Sequence, residues 1–137
     1  MNNNEILVTF RTLYKHTPIW YKQQAMENSK QVSDLVELQK NIDNNVAVLV
    51  YFNTISCSVG EALEPKVKTL LNASFPKIKM YTVDLNLSPE ISASYSAFVE
   101  PTILVYFDGK ETIRKSRNIG VYELEETIKR PYKLIFE

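Results

Sequence analysis

The run Val46-Ala47-Val48-Leu49-Val50-Tyr51-Phe52 is apolar almost without interruption. A strand with one face in water alternates apolar and polar residues, so a run of this kind needs cover on both faces. Residues 78–85 and 102–107 have the same character and read as a second and a third strand. Strands that demand cover on both sides, separated by helical stretches, predict α/β layering, with the early strands parallel.

The intervening segments carry helix signals. Ser33 reads as the cap of a helix over residues 34–43, with Leu35, Leu38 and Ile42 on one face. Residues 58–72 form the next helix, and Pro65 inside it predicts a kink. Ser88-Pro89-Glu90 has Ser at the cap and Pro at the first helical position. Residues 123–130 make the terminal helix, with Leu124 and Ile128 inward and Pro131 ending its regular part. Asp108-Gly109 predicts a tight hairpin in which both central residues take positive φ, and residues 111–116 return as an antiparallel strand. A short edge strand is expected over residues 30–32. The chain thus divides into an N-terminal extension, residues 1–29, and a domain, residues 30–137. The extension is expected to be helical, because Ile6, Phe10, Leu13 and Tyr14 share one helical face; a short strand over residues 6–10 is the alternative. Thr17-Pro18 opens a second short helix whose Trp20 either anchors the extension or faces a partner.

Composition removes several functions. The 137 residues carry 16 Lys+Arg against 16 Asp+Glu. A neutral chain lacks the basic stripe that neutralises phosphates, so no nucleic-acid partner is expected. No run approaches the ~18 apolar residues of a membrane span, and the start has no basic region ahead of an apolar core. The expectation is a cytoplasmic protein with no membrane partner. The chain has one cysteine, Cys57, and one histidine, His16, so no internal disulfide and no Cys/His zinc site can form. With only Gly60, Gly109 and Gly120 there is no phosphate-cradling loop. No metal and no cofactor are expected. Lys110, Arg114, Lys115 and Arg117 cluster on the hairpin and read as charges guarding an edge strand.

Three local motifs in register with this element order resemble the thioredoxin family. The first is the strand over residues 46–52 running into Asn53-Thr54-Ile55-Ser56-Cys57-Ser58-Val59-Gly60. Cys57 falls on the family's nucleophilic cysteine, and Pro65 matches its helix proline. The second is Val99-Glu100-Pro101-Thr102, which looks like the cis-proline loop that faces the active-site cysteine. The third is Asp108-Gly109 with Gly120, matching glycines used for a turn and for close packing. The resemblance covers residues 33–130. It implies a mixed central sheet flanked by helices, Cys57 as candidate nucleophile, and a partner-binding rim of Ser58, Val59, Gly60, Glu100 and Pro101.

The departures matter as much. Gly60 stands at the position of the resolving cysteine, so the family's dithiol cycle cannot close within the chain. Tyr51 replaces the buried Asp that serves that second thiol. Asn53 and Ser56 replace the two flanking tryptophans, which implies a thinner apolar docking surface. Glu61 stands where the family commonly has Lys, and Glu100 stands where it has an apolar residue or Thr. The helix start at Cys57 favours a thiolate, whereas a nearby Glu100 carboxylate opposes it. Cys57 is therefore a monothiol nucleophile or a small buried hydrophobe. The resemblance implies an atypical monothiol protein of thiol–disulfide redox biology acting on a protein thiol or disulfide. A non-catalytic binding module on the same fold is the alternative. A glutathione-using monothiol protein is a third reading, disfavoured because no Lys precedes the Cys57 motif.

Overall fold

The computed structural model describes residues 29–137. The expectations for Ile6, Phe10, Leu13, Tyr14, Thr17, Pro18 and Trp20 lie outside the described residues. The elements run β1 (Ser29–Gln31), α1 (Leu35–Asn44), β2 (Ala47–Asn53), α2 (Ser58–Ser74), β3 (Lys79–Asp84), α3 (Pro89–Ser94), β4 (Thr102–Phe107), β5 (Lys110–Ser116) and α4 (Val121–Phe136). The sheet order is β1-β3-β2-β4-β5. β3 is parallel to both β1 and β2, while β4 is antiparallel to β2 and to β5.

β2 lies at the centre, and its apolar run is explained by the two cores it separates. Ala47, Leu49 and Tyr51 face the core built with α2 and α4. Val48, Val50 and Phe52 face the core built with α1 and α3. β4 alternates in the same way, with Ile103, Val105 and Phe107 on the first side and Leu104 and Tyr106 on the second. The Asp108-Gly109 turn has φ of 51° and 75°, as the hairpin required.

Several local expectations change. The cap of α1 is Asp34, not Ser33: Glu37 N–H donates to Asp34 Oδ1 at 2.8 Å. Asp34→Ala is expected to cost about 1 kcal/mol in a urea denaturation, and Ser33→Ala much less. An equal loss in both variants would contradict the assignment. Ser88 holds the cap position of α3 but makes no cap bond; its Oγ donates to Ser33 O at 3.4 Å. α4 does not stop at Pro131 but continues to Phe136. Tyr132 secures that last stretch, packing edge-on against Phe75 with ring centroids 5.0 Å apart and accepting Lys77 N–H at 3.3 Å. Tertiary packing there outweighs the N–H that proline lacks. A Cβ on Gly120 would meet only Glu123 Cβ at 3.8 Å, so close packing does not explain that glycine.

Two of the four hairpin cations, Arg114 and Lys115, have their charges engaged by side-chain partners. Arg114 pairs with Glu111 and donates to Tyr95 O at 2.8 Å and Ser96 O at 3.1 Å, satisfying carbonyls just past the end of α3. Lys115 pairs with Glu123 at 2.5 Å.

Candidate functional site

The site forms where β2 ends and β4 begins. Their antiparallel register sets Phe52 opposite Thr102. The loop leaving β2, which carries Cys57, therefore adjoins the loop entering β4, which carries Glu100 and Pro101. The Glu100–Pro101 peptide bond is cis, as the motif implied.

Cys57 is the N-cap residue of α2 and half-buried. Its backbone serves the helix start: Glu61 N–H donates to Cys57 O at 2.9 Å, and Cys57 N–H donates to Thr54 O at 3.2 Å. Its side chain makes no cap bond. The sulfur is thus left at the positive end of a 17-residue helix. Ser58 and Val59 are exposed on the first turn, and Gly60 is buried.

A hydrogen-bonded chain ties the two loops together. Thr54 Oγ1 donates to Glu100 Oε2 at 2.8 Å. Since that proton is committed, the 3.0 Å contact between Thr54 Oγ1 and Ser56 Oγ has Ser56 as donor. Thr54 is only 3% exposed, so the Glu100 carboxylate is held by a fixed donor. Pro101 is buried, and its carbonyl accepts Arg117 N–H at 2.9 Å.

Beneath Cys57 the departures prove to be one linked arrangement. The Tyr51 hydroxyl donates to Gly60 O at 2.5 Å from a side chain 1% exposed. Burial pushes the Tyr51 phenol far above its ordinary range, and Glu64 and Cys57 push the same way. It stays protonated and acts as a donor, so it cannot serve as a base. A Cβ added to Gly60 would lie 2.0 Å from Asn53 Oδ1, 2.3 Å from its Cγ and 2.6 Å from its Nδ2. The Asn53 amide thus occupies the space that a side chain at position 60 would need. Asn53 Oδ1 is buried there without a hydrogen-bond partner.

Apolar surface is present around Cys57 despite the missing tryptophans. Ile55 is 84% exposed, Val59 60% and Phe98 72%. Behind the loop lies a cavity of about 400 Å³ whose walls include Tyr51, Asn53, Glu61, Glu64, Asp84 and Leu87.

The structure brings Cys57, Glu100 and Pro101 into adjoining loops, with Ser58, Val59 and Gly60 on the turn that follows. Sequence reasoning passed over Thr54, Asn53 in its relation to Gly60, and Phe98. Thr54 and Ser56 flanking the cysteine loop were the available signal for the hydroxyl chain. Nothing in the sequence pairs Asn53 with Gly60, since their meeting depends on how β2 packs on α2. Among the described residues no group of three or more His, Cys, Asp or Glu side chains could hold a metal ion. No helix among them is long and apolar enough to cross a membrane.

Known proteins agree with this geometry. Thioredoxin-like protein YdfQ of Bacillus subtilis (strain 168) is 28% identical over 109 residues, covering 80% of this chain and 96% of that protein. A thioredoxin of Chlamydia trachomatis serovar D is 30% identical over 94 residues, 66% of this chain and 88% of its own. Mitochondrial thioredoxin 3 of Saccharomyces cerevisiae in its oxidized form shares the fold with a TM-score of 0.69 at 21% identity, over 77% of this chain and 97% of that one. The thioredoxin of Fasciola hepatica superposes with a TM-score of 0.67 at 30% identity, over 74% of this chain and 97% of that one. The sequence model of the family described as Thioredoxin matches residues 29–130, and the chain belongs to the thioredoxin family.

Proposed function

We propose that the protein is a monothiol member of its family: Cys57 exchanges disulfides with a protein partner, and a second thiol from outside the chain completes the reaction. The observation that carries this is the site's division of labour. The sulfur of Cys57 is half-buried and uncapped at the start of α2, while the space for a resolving thiol is filled by Asn53.

The Cys57 thiolate attacks one sulfur of the partner's disulfide. That S–S bond breaks, a Cys57–partner bond forms, and the partner's other sulfur leaves as a thiolate. An external thiolate then attacks the Cys57 sulfur and releases the partner reduced. A second external thiol frees Cys57 and leaves as the small disulfide. Ser58, Val59, Glu100 and Pro101 border the groove in which the incoming chain lies, with Pro101 aligning it, and Gly60 closes the first turn of α2 beneath it. This reading takes the compartment to be the cytoplasm, where a lone thiol stays reduced.

The test is reduction of a protein disulfide by the purified protein. With NADPH and thioredoxin reductase alone, no sustained turnover is expected. Adding a small thiol in excess should give turnover that Cys57→Ser abolishes. Turnover without added thiol would refute the monothiol cycle. Failure of Cys57 to form a mixed disulfide with an activated disulfide probe would sink the redox reading and leave the binding-module alternative.

A further inference from the structure

The helix start that follows Cys57 and the cis-proline loop that adjoins it each carry an acidic residue. Glu61 is exposed on the first turn of α2. Glu100 precedes the cis-proline, with Oε2 held by Thr54 at 2.8 Å and Oε1 outside that bond. None of the ion pairs among the described residues involves either carboxylate. The adjoining cavity adds Glu64 and Asp84 and has no Lys or Arg in its walls. These two are partly occupied: Glu64 pairs with Lys68 at 3.1 Å, and Asp84 Oδ1 accepts Asn86 N–H at 2.9 Å. Arg117 approaches the cis-proline loop through its backbone N–H and is otherwise exposed.

We propose that these carboxylates make the groove selective for basic polypeptides, so that the cysteine engaged by Cys57 is flanked by lysine or arginine. This rests on the exchange reading above and names its substrate class. An opposite charge beside the reacting sulfur steers encounter and steadies the docked chain, whereas a like charge there is repelled. Thr54 adds to this by fixing Glu100 in advance, so little side-chain freedom is lost when a cation arrives. Acidic partners, and acidic small disulfides, meet two carboxylates that no ion pair among the described residues neutralises.

The experiment measures the rate at which the full chain reacts with three short peptides. Each bears one cysteine activated as a 2-thiopyridyl disulfide, flanked by lysines, by serines or by glutamates. The Cys57 thiolate displaces 2-thiopyridone, which is read by absorbance, and the peptide sulfur becomes bonded to Cys57. Each rate is divided by that of 2-mercaptoethanol with the same peptide, which removes the peptide's intrinsic reactivity. At low salt the lysine peptide is expected to react about tenfold faster than the glutamate peptide, with the ratio shrinking at high salt. Combining Glu61→Gln with Glu100→Gln should bring the ratio toward one. Glu126→Gln on α4, the same change in net charge, should leave it in place. A wild-type ratio near one, or a ratio that survives both rim substitutions, overturns the proposal. If Glu100→Gln does not fold, Glu61→Gln and the wild-type salt dependence decide the matter. Reaction with all three peptides at equal rates removes the selectivity and spares the exchange reading; reaction with none removes both.

Discussion

Gly60→Cys alone is expected to cost stability and to form no internal disulfide, whereas the same change combined with Asn53→Ala should restore stability and allow one. The Asn53 amide lies within 2.6 Å of the position a Cβ would take at residue 60, and its three terminal atoms all crowd that point. A Cβ there requires the Asn53 amide to swing aside. Asn53 Oδ1 has no hydrogen bond to lose, so the penalty is steric, about 1–3 kcal/mol for an overpacked site. In the double variant the space is vacated. A double-mutant cycle from urea midpoints should then show favourable coupling between positions 53 and 60. The count of free thiols after mild oxidation gives the chemical readout: two in the single variant and none in the double. A single variant that closes its own disulfide would show that Asn53 is not the obstacle.

Tyr51→Asp, a step back toward the family's buried acid, is expected to be the most destabilising change near the site. Tyr51 is 1% exposed and packs in the core with α2, so removing its ring forfeits about 3–5 kcal/mol. Tyr51→Phe keeps the ring and loses only the bond to Gly60 O, about 1 kcal/mol. The same burial that raises the phenol would raise a carboxyl placed there. The folded variant would hold its proton where the unfolded chain has released it. Its stability therefore falls as pH rises from about 4, the ordinary carboxyl value, toward the raised one. Urea midpoints at about pH 5 and about pH 8 should show the larger deficit at the higher pH. A deficit under about 1 kcal/mol, or one independent of pH, would mean the pocket accepts the acid after all. Both predictions make the same point: the departures at 51, 53 and 60 act together, and undoing one alone is harmful.

Much of the fold was legible because it depends on periodicity and turn chemistry. The apolar run at β2 announced cover on both faces, and the Asp108-Gly109 turn announced its positive φ values. The cis-proline loop was readable from Glu100-Pro101-Thr102 ahead of an apolar strand. Errors fell where a local rule met a competing contact. Asp34 displaced Ser33 because its carboxylate reaches Glu37 N–H. α4 outran Pro131 because Tyr132 gains more from Phe75 than the helix loses at one N–H. The docking surface was expected to be thin because two tryptophans are missing, yet Ile55 and Val59 within the cysteine motif, and Phe98 outside it, supply exposed apolar area.

For the site, the sequence by itself determined the inventory: one thiol, its place at a helix start, no second thiol to resolve a mixed disulfide, and acids at 61 and 100. Those are facts of residue type and order, and no folding could alter them. Only the tertiary structure decided what these residues do to one another. It placed the Asn53 amide in the space beside Gly60, turned Tyr51 into a donor to the Gly60 carbonyl, and fixed Glu100 through the buried hydroxyl of Thr54. Each of these is a contact between segments brought together by strand register and helix packing, at distances of a few ångströms that sequence spacing does not encode.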